Sequence, residues 1–433
     1  MRQQPIVIRG ATVVDPAQDI NEARDILIED GKVSALDKPF SIAVEGCQLI
    51  KAESLLLFPG LIDLHVHLRT PGHEYKEGLS SGLKSAAAGG FSSVLAMANT
   101  SPVIETAEQV ASLLKASQSI KGARLYQCAA LTKGRLGQEL CQYDDLKKAG
   151  AVALSDDGSW VADSAVMRRA LSYAQVFSLL PLSHSQDPFL AKNGQIREGR
   201  ISARLGLSGI PSQAEEIAVF RDISLSALTK APIHLCHISC AASLKIIARA
   251  KSEGLKVSCE TAPHYLFLTD EKLLTYEANF KMNPPLGSLN DLEALREAIL
   301  DGTIDAIATD HAPQSILEKE TEFDQAAFGV IGLETALPLM LELSEKIKLK
   351  LSKLVELMSL NPARLLNIPG GHLKKGSPAD LCLVDKDQSY NYDVNQSKSK
   401  SHNSPFHGRA LKGRVLKTFV GGKIVYDYES NLS

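Results

Sequence analysis

The chain has 433 residues, of which 44% are hydrophobic and 22% are charged, so it can bury a large core but exceeds one compact domain of ordinary size. Its formal net charge of −3 and its pI near 6.4 offer no basic surface, which argues against nucleic acid as a partner. The sequence contains no long apolar run and no apolar N-terminal signal segment, so we expect a cytoplasmic protein with no membrane partner. Seven cysteines without a Cys-x-x-Cys pair indicate reduced, mostly buried thiols.

The two ends of the chain predict short antiparallel strands. At the N-terminal end, turns are expected at Gly10 and at Asp30-Gly31. The predicted strands of both ends cover residues 6–9, 11–14, 25–28, 379–384, 413–420 and 423–426. We expect both ends to pair in one small β-sandwich, formed by residues 1–57 and 369–433, beside a larger domain of residues 58–368.

The middle of the chain alternates short apolar, β-rich runs with segments of helical period. The eight candidate strands are Gly60 to His67, Phe91 to Met97, Ala123 to Leu131, Ala151 to Ser155, Leu180 to His184, Pro232 to His237, Leu255 to Glu260 and Ile304 to Asp310. Helices are predicted over residues 212–229, 241–253 and 291–300. This alternation predicts an α/β fold, a parallel (β/α)8 barrel of the TIM type. A doubly wound open sheet is the alternative, but it would gather ligands at a single switch point.

Polar clusters follow the predicted barrel strands, at the ends where such barrels carry their active sites. The clusters are Asp63 to Arg69, Ser155 to Gly158, Leu182 to His184, His234 to His237 and Ile307 to His311. Because residues i and i+2 of a strand point the same way, His65 and His67 can bind one metal ion from a rigid backbone. An isolated His-x-His is more often a coincidence or a buried, hydrogen-bonded pair, but the further clusters favour a hydrolase metal site.

An ordered series of motifs runs along nearly the whole chain. The first motif extends from Asp63-x-His65-x-His67-x-Arg69 to Pro71-Gly72. The later motifs cover residues 89–91, 97–100, 155–158, 206–211, 281–285, 309–313 and 328–334. This series resembles the bacterial class I dihydroorotases of the amidohydrolase superfamily. The resemblance implies a metal-dependent, reversible closure of N-carbamoyl-L-aspartate to dihydroorotate in pyrimidine synthesis.

The resemblance also implies a set of metal ligands and one or two Zn²⁺ ions per chain. The expected ligands are His65, His67, Asp157, His184, His237 and Asp310. The first two histidines would hold one metal and the last two a second, while Asp310 would bind the first metal and carry a proton. Asp157 matches the aspartate that class I dihydroorotases use where most relatives have a carboxylated lysine. No lysine lies between residues 150 and 164, so a carbamate bridge is not expected.

The chemistry of these residue types supports the same interpretation. Imidazole and carboxylate can hold two cations that lower the pKa of a shared water and polarise a carbonyl. An amide nitrogen leaves poorly unless it is protonated, so a nearby carboxylate must carry the proton, and Asp310 is the candidate. The alternative for Asp310 is a helix cap or a structural ligand. Adjacent strand residues point to opposite sides, so only one of Asp156 and Asp157 can be a ligand, and we prefer Asp157.

Arg69, Asn99, Asn283 and Gln314 are the residues expected to bind the substrate. Arg69 can hold a carboxylate with two hydrogen bonds, and Asn99, at the end of the second predicted strand, can add a neutral donor. The alternatives are a surface salt bridge for Arg69 and a turn residue for Asn99. Class I dihydroorotases generally have a histidine where this chain has Gln314, which can donate a hydrogen bond but carries no charge.

Three functions remain open from the sequence. The first is an active dihydroorotase that acts on a small-molecule substrate, as a homodimer. The second is a non-catalytic subunit that scaffolds aspartate carbamoyltransferase, although inactive family members usually lose metal ligands that this chain keeps. The third is another cyclic amidase, such as a hydantoinase or an allantoinase, which Asp157 and the Arg69 and Asn99 pair disfavour. We favour the first.

Overall fold

The structure, a computed structural model, describes residues 4–431 of the chain. Five strands come first: β1 (Ile6–Asp15), β2 (Ile20–Glu29), β3 (Lys32–Asp37), β4 (Gln48–Lys51) and β5 (Leu56–Pro59). The expected turn at Asp30-Gly31 joins β2 to β3 as an antiparallel pair. The expected turn at Gly10 is wrong, because β1 continues through this position with a bulge, where Gly10 adopts a φ of 73°.

The next ten strands build the barrel and one small accessory sheet. They are β6 (Leu61–Val66), β7 (Phe91–Ala96), β8 (Arg124–Ala129), β9 (Ala151–Leu154), β10 (Leu180–Ser183), β11 (Ile196–Arg197), β12 (Gly209–Ile210), β13 (Ile233–Leu235), β14 (Val257–Thr261) and β15 (Ala306–Ile307). Strands β11 and β12 pair with each other, and the other eight form one parallel sheet in chain order. Each predicted barrel strand is therefore present, and the (β/α)8 barrel is confirmed.

Helices connect the barrel strands and cover the outside of the barrel. They are α1 (Leu79–Ala88), α2 (Ala107–Ser117), α3 (Tyr143–Ala149), α4 (Ser164–Val176), α5 (Arg200–Leu205), α6 (Gln213–Thr229), α7 (Ala241–Ser252), α8 (Pro263–Phe267), α9 (Leu289–Asp301), α10 (Ile316–Lys319), α11 (Leu333–Ile347), α12 (Leu351–Val355) and α13 (Asn361–Leu366). The three predicted helices correspond to α6, α7 and α9. Within residues 4–431, no helix combines the length and the apolar character needed to span a bilayer.

Hydrogen bonds between the first and last strands close the barrel. The backbone N–H of His67 donates to the carbonyl of His311 at 2.9 Å. The buried carboxylate of Asp63 accepts from the backbone N–H and the hydroxyl of Thr309, at 3.1 and 2.6 Å, and from the N–H of His65 at 3.0 Å. This carboxylate therefore ties the segment that carries the first two histidines to the segment that carries Asp310.

The C-terminal strands join the N-terminal ones in a second sheet. They are β16 (Leu381–Asn391), β17 (Ala410–Val420) and β18 (Lys423–Asp427). Strand β5 pairs in parallel with β1 and antiparallel with β16, which links the two chain ends in one sheet of eight strands. The sheet has its own apolar core, which includes Ile8, Leu57 and Phe419. The expected pairing of both chain ends is confirmed.

Candidate metal centre

The six predicted metal ligands converge at the carboxyl ends of the barrel strands. They are His65 at the end of β6, His67 just after it, Asp157 after β9, His184 after β10, His237 after β13 and Asp310 after β15. Relative exposures of 0% to 7% show that all six are buried. Because these strands are short and parallel, their ends meet at one opening of the barrel, and the fold brings every predicted ligand to that point.

Asp157 lies at the middle of this group. Its Oδ1 is 3.3 Å from Nε2 of His65, 3.3 Å from Nδ1 of His184 and 3.5 Å from Nε2 of His237. Its Oδ2 is 3.5 Å from Nε2 of His67. One carboxylate thus contacts both histidine pairs, which is the arrangement that a bridging ligand between two cations requires.

Asp310 occupies the other side of the first histidine pair. Its Oδ1 is 3.2 Å from Nε2 of His67 and 3.7 Å from Nε2 of His65. Burial by itself would raise the pKa of the Asp310 carboxyl, but the hydrogen bond from His67 and the neighbouring imidazoles outweigh burial and hold that pKa well below its usual range. Burial would likewise raise the pKa of the Asp157 carboxyl, but the neighbouring histidines, His65 above all, hold that pKa well below its usual range.

The donor atoms of these residues fit a divalent cation. Three ligand atoms from His65, His67 and Asp310 lie within 4.8 Å of one another, and so do three from His65, Asp157 and His237. Among the described residues, Nε2 of His65 and Oδ1 of Asp157 are buried atoms that have no hydrogen-bond partner. Buried polar atoms rarely lack a partner, and imidazole nitrogen with carboxylate oxygen is a ligand set suited to zinc.

The neighbouring aspartate points away from the histidines. Oδ1 of Asp156 accepts the backbone N–H of Thr132 at 3.0 Å, and its other oxygen accepts the hydroxyl of the same residue. Asp156 therefore holds the loop after β8, while the carboxylate of Asp157 faces the ligand cluster. The two adjacent acids have the opposite orientations that a strand end imposes.

We call Arg69, Asn99, Asn283 and Gln314 the substrate rim. Arg69 is half-buried, and its Nε donates to the carbonyl of Pro313 at 3.1 Å. Oδ1 of Asn99 lies 2.9 Å from Nδ1 of His67. Asn99 therefore contacts a predicted ligand directly and orients its ring, a relationship that the sequence did not reveal.

Asn283 and Gln314 have different surroundings. Nδ2 of Asn283 lies 3.2 Å from Nε2 of His184, on the side of that ring away from Asp157. Gln314 makes no such contact within the described chain: its Oε1 accepts from Nζ of Lys76 at 2.8 Å, and its Nε2 donates to the carbonyl of Phe328 at 2.7 Å. The structure thus brings Asn283 to the ligand cluster, whereas the Gln314 amide is engaged with Lys76 and with the carbonyl of Phe328.

Sequence reasoning missed Glu260, which is fully buried beside His65. Its Oε1 is 3.1 Å from Nδ1 of His65. Burial would raise the pKa of the Glu260 carboxyl, but hydrogen bonds from His234 and His65 lower it to about 2. The available signal was a lone acid at the end of the seventh predicted strand, whereas every predicted metal ligand belonged to a polar cluster.

Two further histidines lie near the centre. His311 is buried, with Nδ1 accepting the N–H of Gly332 at 3.2 Å and Nε2 3.4 Å from Glu77, so its ring has structural partners. His264 is also buried, which lowers its pKa to about 4, and among the described residues its Nε2 has no hydrogen-bond partner.

Comparisons with known proteins agree with this geometry. Residues 56–425 match the amidohydrolase family. A dihydroorotase from Geobacter metallireducens is 47% identical over 421 residues, which cover 97% of this chain and 99% of that protein. A dihydroorotase from Acetivibrio thermocellus is also 47% identical, over 97% of this chain and 98% of the relative.

Solved structures show the same fold. The L-hydantoinase of Arthrobacter aurescens superposes with a TM-score of 0.87 at 26% identity, over 98% of this chain and 96% of that one. A dihydropyrimidinase from Brevibacillus agri has a TM-score of 0.84 at 24% identity, over 98% of this chain and 95% of that one, and supports the fold alone. The match of residues 56–425 to the amidohydrolase family and the 47% identity to dihydroorotases over 97% of the chain lead to one conclusion: this chain belongs to the amidohydrolase family, among the dihydroorotases, and is a cyclic amidohydrolase.

Proposed function

We propose that the chain catalyses the reversible cyclisation of N-carbamoyl-L-aspartate to dihydroorotate, the step that the resemblance implies in pyrimidine biosynthesis. The observation that carries the proposal is the position of Asp157, which contacts all four histidines. The resemblance implies a carboxylated lysine at this place in most relatives and an aspartate in class I dihydroorotases. The relatives named dihydroorotase match this chain from end to end, which supports the same activity.

The proposal includes one or two Zn²⁺ ions. His65, His67 and Asp310 would hold the first ion, and the His184 and His237 pair the second, with Asp157 between them. When bound, the ions lower the pKa of a water molecule and polarise the carbonyl that is attacked. The nitrogen and oxygen donors suit zinc, and their burial keeps bulk water away.

Asp310 is the proposed proton carrier. The ring nitrogen of the departing amide must gain a proton in the hydrolytic direction and lose it in the cyclising direction. The Asp310 carboxylate faces both histidines of the first pair, and its side chain, at 10%, is more exposed than that of Asp157, at 4%. It can therefore accept a proton from water in the site and pass it to the amide nitrogen.

The substrate rim is proposed to bind the substrate beside this centre. The terminal nitrogens of Arg69 have no hydrogen bond within residues 4–431, since Nε alone is engaged with Pro313, so they can hold a carboxylate. Asn99 and Asn283 touch His67 and His184, so each can reach a substrate next to the metals. Gln314 is proposed as a neutral contact at the outer side.

A direct assay tests the proposal. The purified chain, loaded with zinc, is expected to hydrolyse dihydroorotate, and hydantoin and allantoin should be poor substrates. A preference for hydantoin or allantoin would favour the other cyclic amidases. No turnover at full metal occupancy, with or without aspartate carbamoyltransferase, would favour the scaffold.

The proposal also covers the oligomeric state, the protein partner and the location of the enzyme. A homodimer and an association with aspartate carbamoyltransferase follow from the resemblance, and a cytoplasmic location is proposed with them. All seven cysteines are free thiols, which is compatible with a reducing compartment. Sedimentation of the purified chain, alone and with aspartate carbamoyltransferase, measures both associations.

A further inference from the structure

A hydrogen-bonded series of buried polar groups lies in the barrel beside the predicted metal ligands, and His65 is its one member that belongs to the predicted site. The other members are Ser258, His234 and Glu260. Glu260, His234 and His65 have no exposed surface, and Ser258 is 9% exposed. A carboxylate buried this deeply is costly unless hydrogen bonds satisfy both of its oxygens.

Both oxygens of Glu260 are satisfied by histidines. Oε1 lies 3.1 Å from Nδ1 of His65, and Oε2 lies 3.1 Å from Nε2 of His234. A carboxylate only accepts hydrogen bonds, so both of these ring nitrogens carry a hydrogen. The other nitrogen of His234, Nδ1, is 2.8 Å from the hydroxyl of Ser258, which can donate to it. Both oxygens of Glu260 and both nitrogens of His234 thus have hydrogen-bond partners within this group.

The barrel strands place these groups without any loop. His234 on β13 is paired directly with Ser258 on β14. Glu260 is two residues beyond Ser258 on the same strand, so both point to the same face. His65 comes from β6, which is separated from β14 by β15 around the barrel. The chain of hydrogen bonds therefore joins three strands inside the barrel, just below the ligand cluster.

This arrangement decides which nitrogen of His65 can bind a metal. A metal binds the neutral imidazole, and because Nδ1 keeps its hydrogen for Glu260, Nε2 supplies the lone pair. Nε2 is the atom that faces the cluster, 3.3 Å from Oδ1 of Asp157, and it lacks a hydrogen-bond partner within the described chain. A carboxylate that accepts from a metal-binding histidine fixes the ring and strengthens the ligand.

We propose that Glu260, held by His234, is a positioning residue that fixes the orientation and the tautomer of His65 for metal binding. The proposal rests on the proposed role of His65 as a metal ligand. Both oxygens of Glu260 are engaged with His65 and His234, so we expect Glu260 to bind neither substrate nor metal. Because Glu260 acts through the imidazole of His65, its replacement should weaken metal binding, and any loss of turnover should follow from the weaker binding.

The first test replaces Glu260 by glutamine, which keeps the size and removes the second acceptor. An amide presents one oxygen and one NH2 group, so either His65 or His234 faces a donor and must change its tautomer or turn. We expect Glu260→Gln to bind Zn²⁺ about 10- to 100-fold more weakly than the wild type, measured by competition with a chromogenic chelator. The visible spectrum of the Co²⁺-loaded protein should also change, because the ligand geometry changes.

The matched control is Glu334→Gln. Glu334 is a carboxylate on α11 that accepts hydrogen bonds from Ser85, Ser397 and the backbone of Lys398, and none of these is a predicted ligand. All three bonds go to Oε1, which an amide oxygen can replace, so this variant measures the effect of neutralising a bonded glutamate without the loss of a second acceptor. Its zinc affinity and Co²⁺ spectrum should match those of the wild type.

A second pair of variants keeps the inference testable if Glu260→Gln fails to fold. His234→Gln retains an N–H that can reach Oε2 of Glu260, whereas His234→Leu retains none. We expect the zinc affinity to fall in the order wild type, His234→Gln, His234→Leu. Equal zinc affinities for His234→Gln and His234→Leu would contradict the proposal that His234 holds Glu260 in place.

The outcomes separate this inference from the proposed function. Wild-type zinc affinity and an unchanged Co²⁺ spectrum in Glu260→Gln would overturn the inference, whatever the activity. A wild type that binds zinc but does not hydrolyse dihydroorotate would overturn the proposed function, and the comparison of zinc affinities would still decide the role of Glu260. A wild type that binds no zinc would overturn both.

Discussion

The metal centre and the substrate rim differ in what holds them. The predicted ligands lie at strand ends, and their partners are other strand ends, such as Glu260 behind His65 and Asp157 between the histidines. The rim residues Arg69 and Gln314 instead bond to loop groups, the carbonyls of Pro313 and Phe328. The barrel therefore fixes the metal centre, whereas the rim depends on how the loops after β6 and β15 pack together.

A distant segment of the chain holds this rim loop. Nδ2 of Asn403 donates to the carbonyls of Ala312 and Gly329, at 3.1 and 3.0 Å, and its Oδ1 accepts the N–H of Gln314 at 3.2 Å. Asn403 is buried and lies between β16 and β17. The C-terminal segment thus positions a rim residue as well as contributing strands to the second sheet.

The largest effect should come from removing one side of the metal centre. We expect His184→Ala combined with His237→Ala to lose bound zinc and all measurable turnover, because both histidines face Oδ1 of Asp157. Metal analysis of the purified variant measures the loss. The control replaces the exposed histidines His402 and His407 by alanine and should keep its metal. Unchanged metal content in the first variant would refute the assignment.

Asp310→Asn separates proton transfer from metal binding. The amide keeps an oxygen that can bind a metal but cannot carry the proton, so we expect kcat to fall about 10²- to 10⁴-fold while much of the zinc remains. Parallel measurements of kcat and of zinc content decide the point. Near-normal turnover would show that another group carries the proton.

The adjacent acids Asp156 and Asp157 offer a matched pair. Asp157→Asn should weaken zinc binding strongly, because its carboxylate contacts all four histidines. Asp156→Asn should cost only about 1 kcal/mol of stability, from the hydrogen bonds to Thr132. Zinc affinity and thermal unfolding measure the two effects, and the opposite order would mean that the wrong acid was chosen as the ligand.

These contrasts explain which features the sequence could predict. Short apolar runs that lead to His65, Asp157 or Asp310 mark strand ends, and a parallel barrel gathers strand ends at one opening, so the polar clusters could be placed by spacing. The resemblance to the class I dihydroorotases implied which members of those clusters are ligands. The turn predicted at Gly10 was wrong because a glycine between two apolar runs is typical of a turn, whereas here β1 pairs with β2 on both sides of Gly10 and stays continuous.

Long-range polar contacts could not be predicted from the sequence. His234 lies within β13 and Glu260 near the end of β14, where a polar residue normally indicates an exposed face, and the fold shows that both are buried. Asn403 is 89 residues from Gln314, in a polar stretch that resembles an exposed loop. No local pattern connects residues so far apart.

Within the rim, Arg69→Ala should have the larger effect. Loss of a charge-assisted, two-point contact with a carboxylate should raise KM for dihydroorotate by about 10- to 100-fold with smaller changes in kcat. Arg69→Lys serves as a partial control, because it keeps the charge and loses the second hydrogen bond. Initial rates over a range of substrate concentrations measure both variants. Equal KM values for Arg69→Ala and the wild type would exclude Arg69 from substrate binding.

The smallest effect should come from Gln314→His. Below about pH 6.5 the imidazole is protonated, and a charge-assisted hydrogen bond in place of a neutral one is worth about 1 kcal/mol. However, Nζ of Lys76 lies 2.8 Å from the Gln314 oxygen, so a protonated histidine would face an ammonium group and lose an acceptor. We therefore expect KM for dihydroorotate to fall by at most about threefold, at pH 6 and not at pH 8. Lys76→Met removes this ammonium group, which also binds Glu318. Gln314→His combined with Lys76→Met should therefore lower KM for dihydroorotate more than Gln314→His alone. A tenfold or greater fall in KM in the single variant would instead mean that position 314, like the strand-end ligands, directly controls substrate binding.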